Sequence, residues 1–172
     1  MRSLLASLPV EARNELELRP RSAIRLVVVH WDGSEVPFGE GYDPATVYAR
    51  EARAHIGKDW GGGSYGYGLM YHERVSRVGQ VWLTRPAEHV VWACRGANSI
   101  SYNVCVDAGP EWDPTHAQVA VLGGRVEQLR TGLGLPRSAV WGHGELLQYG
   151  NQTECPGDYL TEWCRRYRRG EV

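Results

Sequence analysis

Two histidines and one cysteine carry the clearest chemical signal in this chain. His30 ends the apolar run IRLVVVH, and His143 closely follows a second apolar run that ends at Trp141. Cys155 comes one polar loop later, directly before a Pro-Gly turn. Imidazole and thiolate groups bind zinc, and three such ligands leave the fourth tetrahedral position open, as in catalytic sites. The sequence therefore predicts a catalytic Zn²⁺ site made of three residues that lie far apart along the chain.

Each of these residues alone has a simpler interpretation. A histidine at the end of a buried strand is more often a core or edge residue, and a lone cysteine is often an inert thiol. The joint arrangement favours a metal, because both histidines end apolar runs and can converge at one rim of a sheet. The other histidines have no partner at a useful spacing, and we assign them to the surface or the core: His55, His72, His89 and His116. A structural zinc site, closed by a fourth protein ligand, stays open as an alternative.

The composition is that of one ordinary domain. The chain has 172 residues, a formal net charge of −1 and 42% hydrophobic residues, which gives no indication of nucleic-acid or anionic-membrane binding. No segment approaches transmembrane length, and the N-terminus is too acidic for a signal peptide. We therefore expect a monomer that is made in the cytoplasm, does not insert into a membrane and reaches any external substrate by another route. Cys94 and Cys164 could pair or could stay as free thiols.

The pattern of apolar residues predicts strands interleaved with helices. A β-branched run at 24–30 is typical of a buried strand, and Asp43 and Asp113, each followed by proline, are typical helix N-caps. Asp158 is the expected N-cap of the last helix. Further expected elements are helices at 9–18, 43–57, 115–134 and 158–169, a hairpin of 64–75 with 80–86, and strands at 100–106 and 139–141. These elements predict an α/β fold with a single mixed β-sheet and helices packed on its faces. We expect one domain over 1–172, with an N-terminal helical extension at 1–22 and the catalytic core at 23–165.

Four motifs give the chain a family resemblance. In order, it reads VVVHWDG, SYGYGLMYHERVSRVGQVWLTRP, WACRGANSISYNVCV and VWGHGELLQYGNQTECPGDYL. This order resembles the zinc N-acetylmuramoyl-L-alanine amidases, which include phage-type enzymes and share their fold with the peptidoglycan recognition proteins. The resemblance covers about residues 24–163, and its most specific part is TECPGD with the GH upstream.

The resemblance implies roles for five residues. It makes His30, His143 and Cys155 the zinc ligands. It places Tyr67 near the metal and Thr153, two residues before the cysteine, where a side chain faces the metal-bound oxygen. Both would donate hydrogen bonds to the developing oxyanion, which is usually a large electrostatic contribution to catalysis.

The implied activity is hydrolysis of the amide between N-acetylmuramic acid and L-alanine of the stem peptide in peptidoglycan, with zinc activating water. Without an export signal, this favours a phage or prophage endolysin that acts on the cell wall after release. Cys155 favours the enzyme, because the non-catalytic recognition proteins of this fold lack the cysteine. Two departures matter: Ala93 stands where many relatives have histidine, and Asn103 where glycine is usual. The first motivates the alternative of a peptidoglycan-binding module without turnover, and the second is either a packing change or a substrate contact.

Three further residues are candidates for substrate contact. Trp31 either lies beside the metal or is a core tryptophan. Arg95 and Asn98, in a glycine-containing loop, could bind the acidic stem peptide or muramyl carbonyl groups, although solvated loop residues are commoner. Asp107 and Glu154 are candidates for the base that activates water, with a strand-end turn and a solvated loop as their ordinary interpretations.

Overall fold

The computed structural model of the protein describes residues 1–4, 17–34, 42–56 and 68–172. In these ranges the chain forms six strands and three α-helices. The strands are β1 (Arg2–Ser3), β2 (Leu26–Trp31), β3 (Glu73–Val75), β4 (Val81–Leu83), β5 (Ser101–Val106) and β6 (Val140–Gly142). The helices are α1 (Pro44–His55), α2 (His116–Gly132) and α3 (Gly157–Arg169).

The six strands form one mixed sheet in the order β1-β4-β3-β5-β2-β6. β3 and β4 form an antiparallel hairpin, and the other neighbouring strands are parallel. β2 is buried on both faces, which explains why its apolar run is nearly continuous. Val27 and Val29 belong to the main apolar cluster, and Val28 belongs to a second cluster on the opposite side. The predicted fold class, a single mixed sheet with helices on its faces, is confirmed. No helix in the described part of the chain has the length and apolar character needed to cross a membrane.

The two faces of the sheet differ in chemistry. We call the side covered by α2 and α3 the helix face, and it contributes these residues to the main apolar cluster: Val27, Val29, Val75, Tyr102, Val104 and Val106. Alternation along a strand sends the intervening side chains to the opposite side. We call that side the site face, and its central residues are Val28, His30, Ser101, Asn103 and Cys105, all at most 1% exposed. α1 packs on the site face, where Tyr48 and Ala52 meet Trp82 of β4.

The N-cap predicted for α1 is confirmed, whereas α2 and α3 begin with other N-cap residues than predicted. The Asp43 side chain accepts from the backbone N–H groups of the first turn of α1, as predicted. α2 is capped by Thr115 and not by Asp113, because Thr115 and Gln118 form a reciprocal capping box. α3 begins at Gly157, so Asp158 lies inside the first turn and does not cap it. Its carboxylate still suits the positive end of the helix dipole.

Residues at both ends of the chain, outside the predicted catalytic core, pack against the rest of the fold. Arg2–Ser3 is an edge strand beside β4, at a place where we expected a helical extension, and the buried Leu4 donates its N–H to the Leu83 carbonyl at 3.0 Å. The predicted helix at 9–18 lies outside the described residues except for its last two positions. At the other end, Tyr167 near the end of α3 belongs to the main apolar cluster.

The predicted hairpin forms only in part, and the two cysteines left open as a pair stay apart. Of the predicted strand 64–75, residues 64–67 lie outside the described ranges, and only Glu73–Val75 of the remainder is strand. Cys94 and Cys164 are both buried free thiols and belong to different apolar clusters. Their separate positions explain why they do not pair.

Candidate metal centre

His30 and His143 lie side by side because β2 and β6 are neighbouring parallel strands. The last register pair of these two strands joins Val29 to Gly142. His30 follows Val29 and His143 follows Gly142, so both histidines lie at the same edge of the sheet. Their ring centroids are 4.6 Å apart. His30 is almost fully buried and His143 is half-buried.

Cys155 reaches the same edge from the loop before α3. Its Sγ lies 3.7 Å from Nδ1 of His30 and 4.0 Å from the Trp31 carbonyl oxygen. The Gly144 N–H donates to the Cys155 carbonyl at 2.6 Å. A Cβ at position 144 would lie 2.4 Å from the Thr153 carbonyl oxygen. Glycine is therefore required at 144, where it lets the cysteine loop lie directly against the end of β6.

The donor set fits a zinc ion. The ligand atoms of His30, His143 and Cys155 all lie within 4.8 Å of one another. Nitrogen and sulfur ligands of a tetrahedral zinc are roughly 3.6 Å apart, given their usual bond lengths. The 3.7 Å between His30 Nδ1 and Cys155 Sγ is close to that separation. Among the described residues, no further His, Cys, Asp or Glu joins the group, so the structural-zinc alternative gains no fourth ligand there.

Burial sets the protonation of the three groups. Burial, and then the charge of the neighbouring His143, lower the pKa of His30 to about 3. Burial also lowers the pKa of His143. Both imidazoles are therefore neutral near pH 7, the form that binds a metal. Burial raises the pKa of the Cys155 thiol to about 12. Because a coordinating cation deprotonates a thiol outright, metal binding here should release a proton.

Each imidazole is hydrogen-bonded to a buried asparagine. Nε2 of His30 is 2.9 Å from Asn103 Oδ1, and Nε2 of His143 is 3.0 Å from Asn151 Oδ1. The sequence left Asn103 as a packing change or a substrate contact, and the structure gives it this third role. Strand alternation carries the signal for Asn103, because its register partner Val28 shares a face with His30. Nothing in the sequence marks Asn151.

A tyrosine other than the predicted one contacts His30. Tyr67 lies outside the described residues. Tyr71, four positions later, has its ring centroid 5.2 Å from that of His30. Burial raises the pKa of Tyr71 well above its ordinary value, so its hydroxyl stays protonated. The spacing of tyrosines at 65, 67 and 71 does not choose between them, whereas contact with His30 makes Tyr71 a second candidate.

Thr153 and Arg95 line one open cavity of about 840 Å³ together with His143. The Thr153 Oγ1 accepts the Cys155 N–H at 3.2 Å, so its own hydroxyl proton remains available to donate toward the cavity. The Arg95 side chain is exposed in the same wall. Both predicted residues therefore border the cavity that His143 lines.

Asn98 and Trp31 have structural contacts. Asn98 lines the same cavity, but its Oδ1 accepts the N–H groups of Ala93 and Cys94 at 3.1 and 2.7 Å and thereby holds the loop. The Trp31 indole packs against the helix-face cluster and over Gly157, where an added Cβ would lie 2.4 Å from the ring. It lines a separate cavity from the one beside His143. The geometry favours the interpretation of Trp31 as a core tryptophan.

A buried charge cluster borders the site. Arg74, 2% exposed, donates to Asp107 from Nε at 3.0 Å and from Nη2 at 2.6 Å, and to Asp32 at 2.9 Å. It also pairs with Glu51 of α1. The Tyr48 hydroxyl donates to the second oxygen of Asp107 at 2.6 Å. Asp107 was a candidate for the base that activates water. In the structure both of its carboxylate oxygens accept hydrogen bonds from Arg74 or Tyr48.

Comparison with solved structures finds this fold in two kinds of protein. The N-acetylmuramoyl-L-alanine amidase LysC from Clostridium intestinale URNW matches with a TM-score of 0.64 and 16% identity, over 92% of this chain and 95% of that one. The Ph2119 endolysin from Thermus scotoductus MAT2119 bacteriophage Ph2119 matches at 0.58 and 19%, over 89% of each chain. Drosophila peptidoglycan recognition protein SD matches at 0.70 and 15%, over 90% and 86%. A comparison with curated protein sequences gives no match.

The fold defines a class that contains both amidases and peptidoglycan recognition proteins. Within that class, the family model for N-acetylmuramoyl-L-alanine amidase matches residues 20–158. The chain belongs to the N-acetylmuramoyl-L-alanine amidase family, and the resemblance drawn from the four motifs is confirmed.

Proposed function

We propose that the protein is a zinc-dependent peptidoglycan hydrolase that cleaves the amide between N-acetylmuramic acid and L-alanine of the stem peptide. The observation that carries the proposal is the approach of the His30, His143 and Cys155 ligand atoms to within 4.8 Å, beside an open cavity. Three ligands leave one tetrahedral position for a reacting group. Zinc, when bound there, supplies a Lewis acid that polarises the scissile carbonyl and lowers the pKa of water.

The surrounding side chains suit this reaction. Thr153 has a hydroxyl proton to donate toward the cavity, and Tyr71, whose ring lies beside that of His30, keeps its hydroxyl protonated. Hydrogen bonds from such groups stabilise negative charge that develops on the carbonyl oxygen. Tyr67 stays a prediction for the same role. Arg95 presents a guanidinium that can pair with carboxylates of the stem peptide.

The proposal extends to the setting of the enzyme. We take the bacterial cell wall as its place of action and an endolysin role as its use, with synthesis in the cytoplasm before release. We treat 1–172 as one amidase domain that acts as a monomer, with an N-terminal extension at 1–22 and its catalytic core at 23–165. Asn98 and Trp31 remain candidates for substrate contact beyond their structural roles.

Product identification on purified sacculi tests the function. Zinc-loaded protein should release stem peptides and expose new L-alanine amino groups, without new reducing sugars. The Cys155→Ala variant, matched in every other respect, should release nothing. New reducing ends would identify a different bond as the target. Stoichiometric muropeptide binding by zinc-loaded protein without any cleavage would instead support the recognition-module alternative that Ala93 motivates.

A further inference from the structure

We infer that Asn103 and Asn151 are positioning residues that fix the tautomer and the ring orientation of His30 and His143, so that both rings present Nδ1 to the metal. This inference rests on the proposed zinc site. The two asparagines make the same contact with the two rings, through Oδ1 to Nε2 at 2.9 and 3.0 Å. They are 0% and 4% exposed. Such buried contacts are protected from competition by bulk water.

The hydrogen bonds of the amide nitrogen, Nδ2, fix the orientation of each asparagine carboxamide. Asn103 Nδ2 donates to the Ser101 hydroxyl at 3.0 Å and to the Ser101 carbonyl at 3.3 Å. Asn151 Nδ2 donates to the carbonyl oxygens of Arg95 and Leu146 at 3.0 and 3.3 Å. Carbonyl oxygens only accept, so a flipped amide would set oxygen against oxygen and leave buried groups unsatisfied. The amide oxygen must therefore face the imidazole in both cases.

A neutral imidazole carries one N–H, and an acceptor that faces Nε2 requires the proton on Nε2. The lone pair then belongs to Nδ1. In His30 this nitrogen is the one that lies 3.7 Å from Cys155 Sγ. In His143 the same contact leaves Nδ1 as the nitrogen available to the shared site. The tautomer that a metal needs is thus selected before the metal arrives, which lowers the cost of ordering the ligands.

The two asparagines come from unrelated parts of the fold. Asn103 lies in β5, where it pairs with Val28 of the neighbouring strand β2. It thereby reaches the face of the sheet that carries His30. Asn151 lies in the loop after His143 and is anchored to the carbonyl of Arg95. Both are neutral amides, although ligating histidines often have carboxylate partners. A carboxylate at a fully buried position would need a compensating charge, whereas an amide orients the ring without one.

Nitrogen NMR of the imidazoles in zinc-free protein tests the inference directly. The wild type should show the Nε2–H tautomer at both His30 and His143. Asn103→Leu and Asn151→Leu remove the acceptor at similar volume. Each should give mixed tautomers at its own histidine and leave the other unchanged. Zinc affinity, measured by competition with a chelator, should fall by about 10–100-fold in each variant.

Gln118→Leu is the matched control. Gln118 is another fully buried carboxamide, and it donates to the carbonyl oxygens of Val75 and Asp107 at 3.0 Å, with no imidazole partner. Its replacement should lower stability without changing either tautomer or the zinc affinity. An equal loss of zinc affinity in this control would assign the effect to general destabilisation and overturn the inference.

The outcomes separate this inference from the proposed function. An Nδ1–H tautomer at either histidine of the wild type would overturn the inference, and this measurement needs no variant to fold. Leucine variants that bind zinc as tightly as the wild type would overturn it too. A wild type with Nε2–H on both rings that binds no zinc would instead contradict the proposed function.

Discussion

The two faces of the sheet are both buried, but the residues at the centre of each face differ in chemistry. Along β5, all six residues are buried. Tyr102, Val104 and Val106 join the apolar cluster beneath α2 and α3, whereas Ser101, Asn103 and Cys105 lie on the site face. Burial alone therefore does not distinguish a core from a functional site. On β2 and β5, what distinguishes them is that the site face carries imidazole and carboxamide groups that are hydrogen-bonded to each other.

The two faces also stabilise the protein in different ways. Apolar burial contributes about 25 cal/mol per Å² and depends little on direction. Hydrogen bonds contribute only about 0.5–1.5 kcal/mol net, but a buried group that loses its partner costs roughly 1–3 kcal/mol. The apolar part of the helix face can therefore hold the fold with interchangeable contacts, whereas the buried pair of Glu73 with Arg125 on that face is a specific one. The site face instead holds particular atoms at particular distances, as Asn103 holds His30.

The strongest test of this comparison is Arg74→Met, which removes the central charge of the site face. The change would leave Asp107 and Asp32 buried without their guanidinium partner. Breaking a buried ion pair by removing one partner typically costs about 3–5 kcal/mol. We expect a loss of that size in the free energy of unfolding, measured by urea titration of zinc-free protein.

Arg77→Met is the matched control, since Arg77 lies in the same hairpin but is only partly buried. It donates to the Asp113 carbonyl and lies over the Trp112 ring. Its loss should cost about 1 kcal/mol or less. If both variants were equally stable, the charge cluster would not support the fold, and the distinction between the faces would lose its energetic basis.

The sequence predicts the parts of this protein that depend on local pattern. The β-branched run of β2, the Asp43 cap of α1 and the alternation of strands with helices all appear in the structure. The cap of α2 is harder to predict, because Asp113 and Thr115 are both good N-cap residues. Only the capping box that Thr115 forms with Gln118 decides between them.

The unpredicted parts of the site depend on contacts between distant segments. The pairing of Arg74 with Asp107 follows from the β3–β5 register, and the pairing of Asn151 with His143 follows from the path of one loop. Neither has a periodic signal in the sequence. The three metal-binding candidates are predicted by two signals together, their positions after apolar runs and the family motifs. The choice of Tyr67 over Tyr71 rests on the family resemblance alone.

A second, smaller test asks which tyrosine belongs to the site. If Tyr71 donates to the oxyanion, Tyr71→Phe should lower kcat by about 100–1,000-fold with a smaller change in KM. Tyr67→Phe should then have little effect on either constant. Steady-state hydrolysis of a muramyl peptide by the two variants distinguishes the candidates. The reverse pattern would restore Tyr67 to the role that the sequence predicts.

The smallest expected effect on stability comes from replacing cysteine by alanine once on the helix face and once in the site loop. Cys164 is fully buried in the helix-face cluster, whereas Cys155 is partly exposed in the site loop. In zinc-free protein, Cys164→Ala should cost about 1 kcal/mol of unfolding free energy, because it leaves a small cavity among packed side chains. Cys155→Ala should change the same quantity by less than about 0.5 kcal/mol.

Adding zinc should reverse the order of these two variants. Ligand at 100 times its dissociation constant stabilises a folded protein by about 2.7 kcal/mol. The wild type and Cys164→Ala should both gain this amount, whereas Cys155→Ala should gain none. Urea titrations with and without zinc measure both quantities on the same samples. A large loss of unfolding free energy in zinc-free Cys155→Ala would contradict this expectation. The Cys155 sulfur would then stabilise the fold even when no cation is bound.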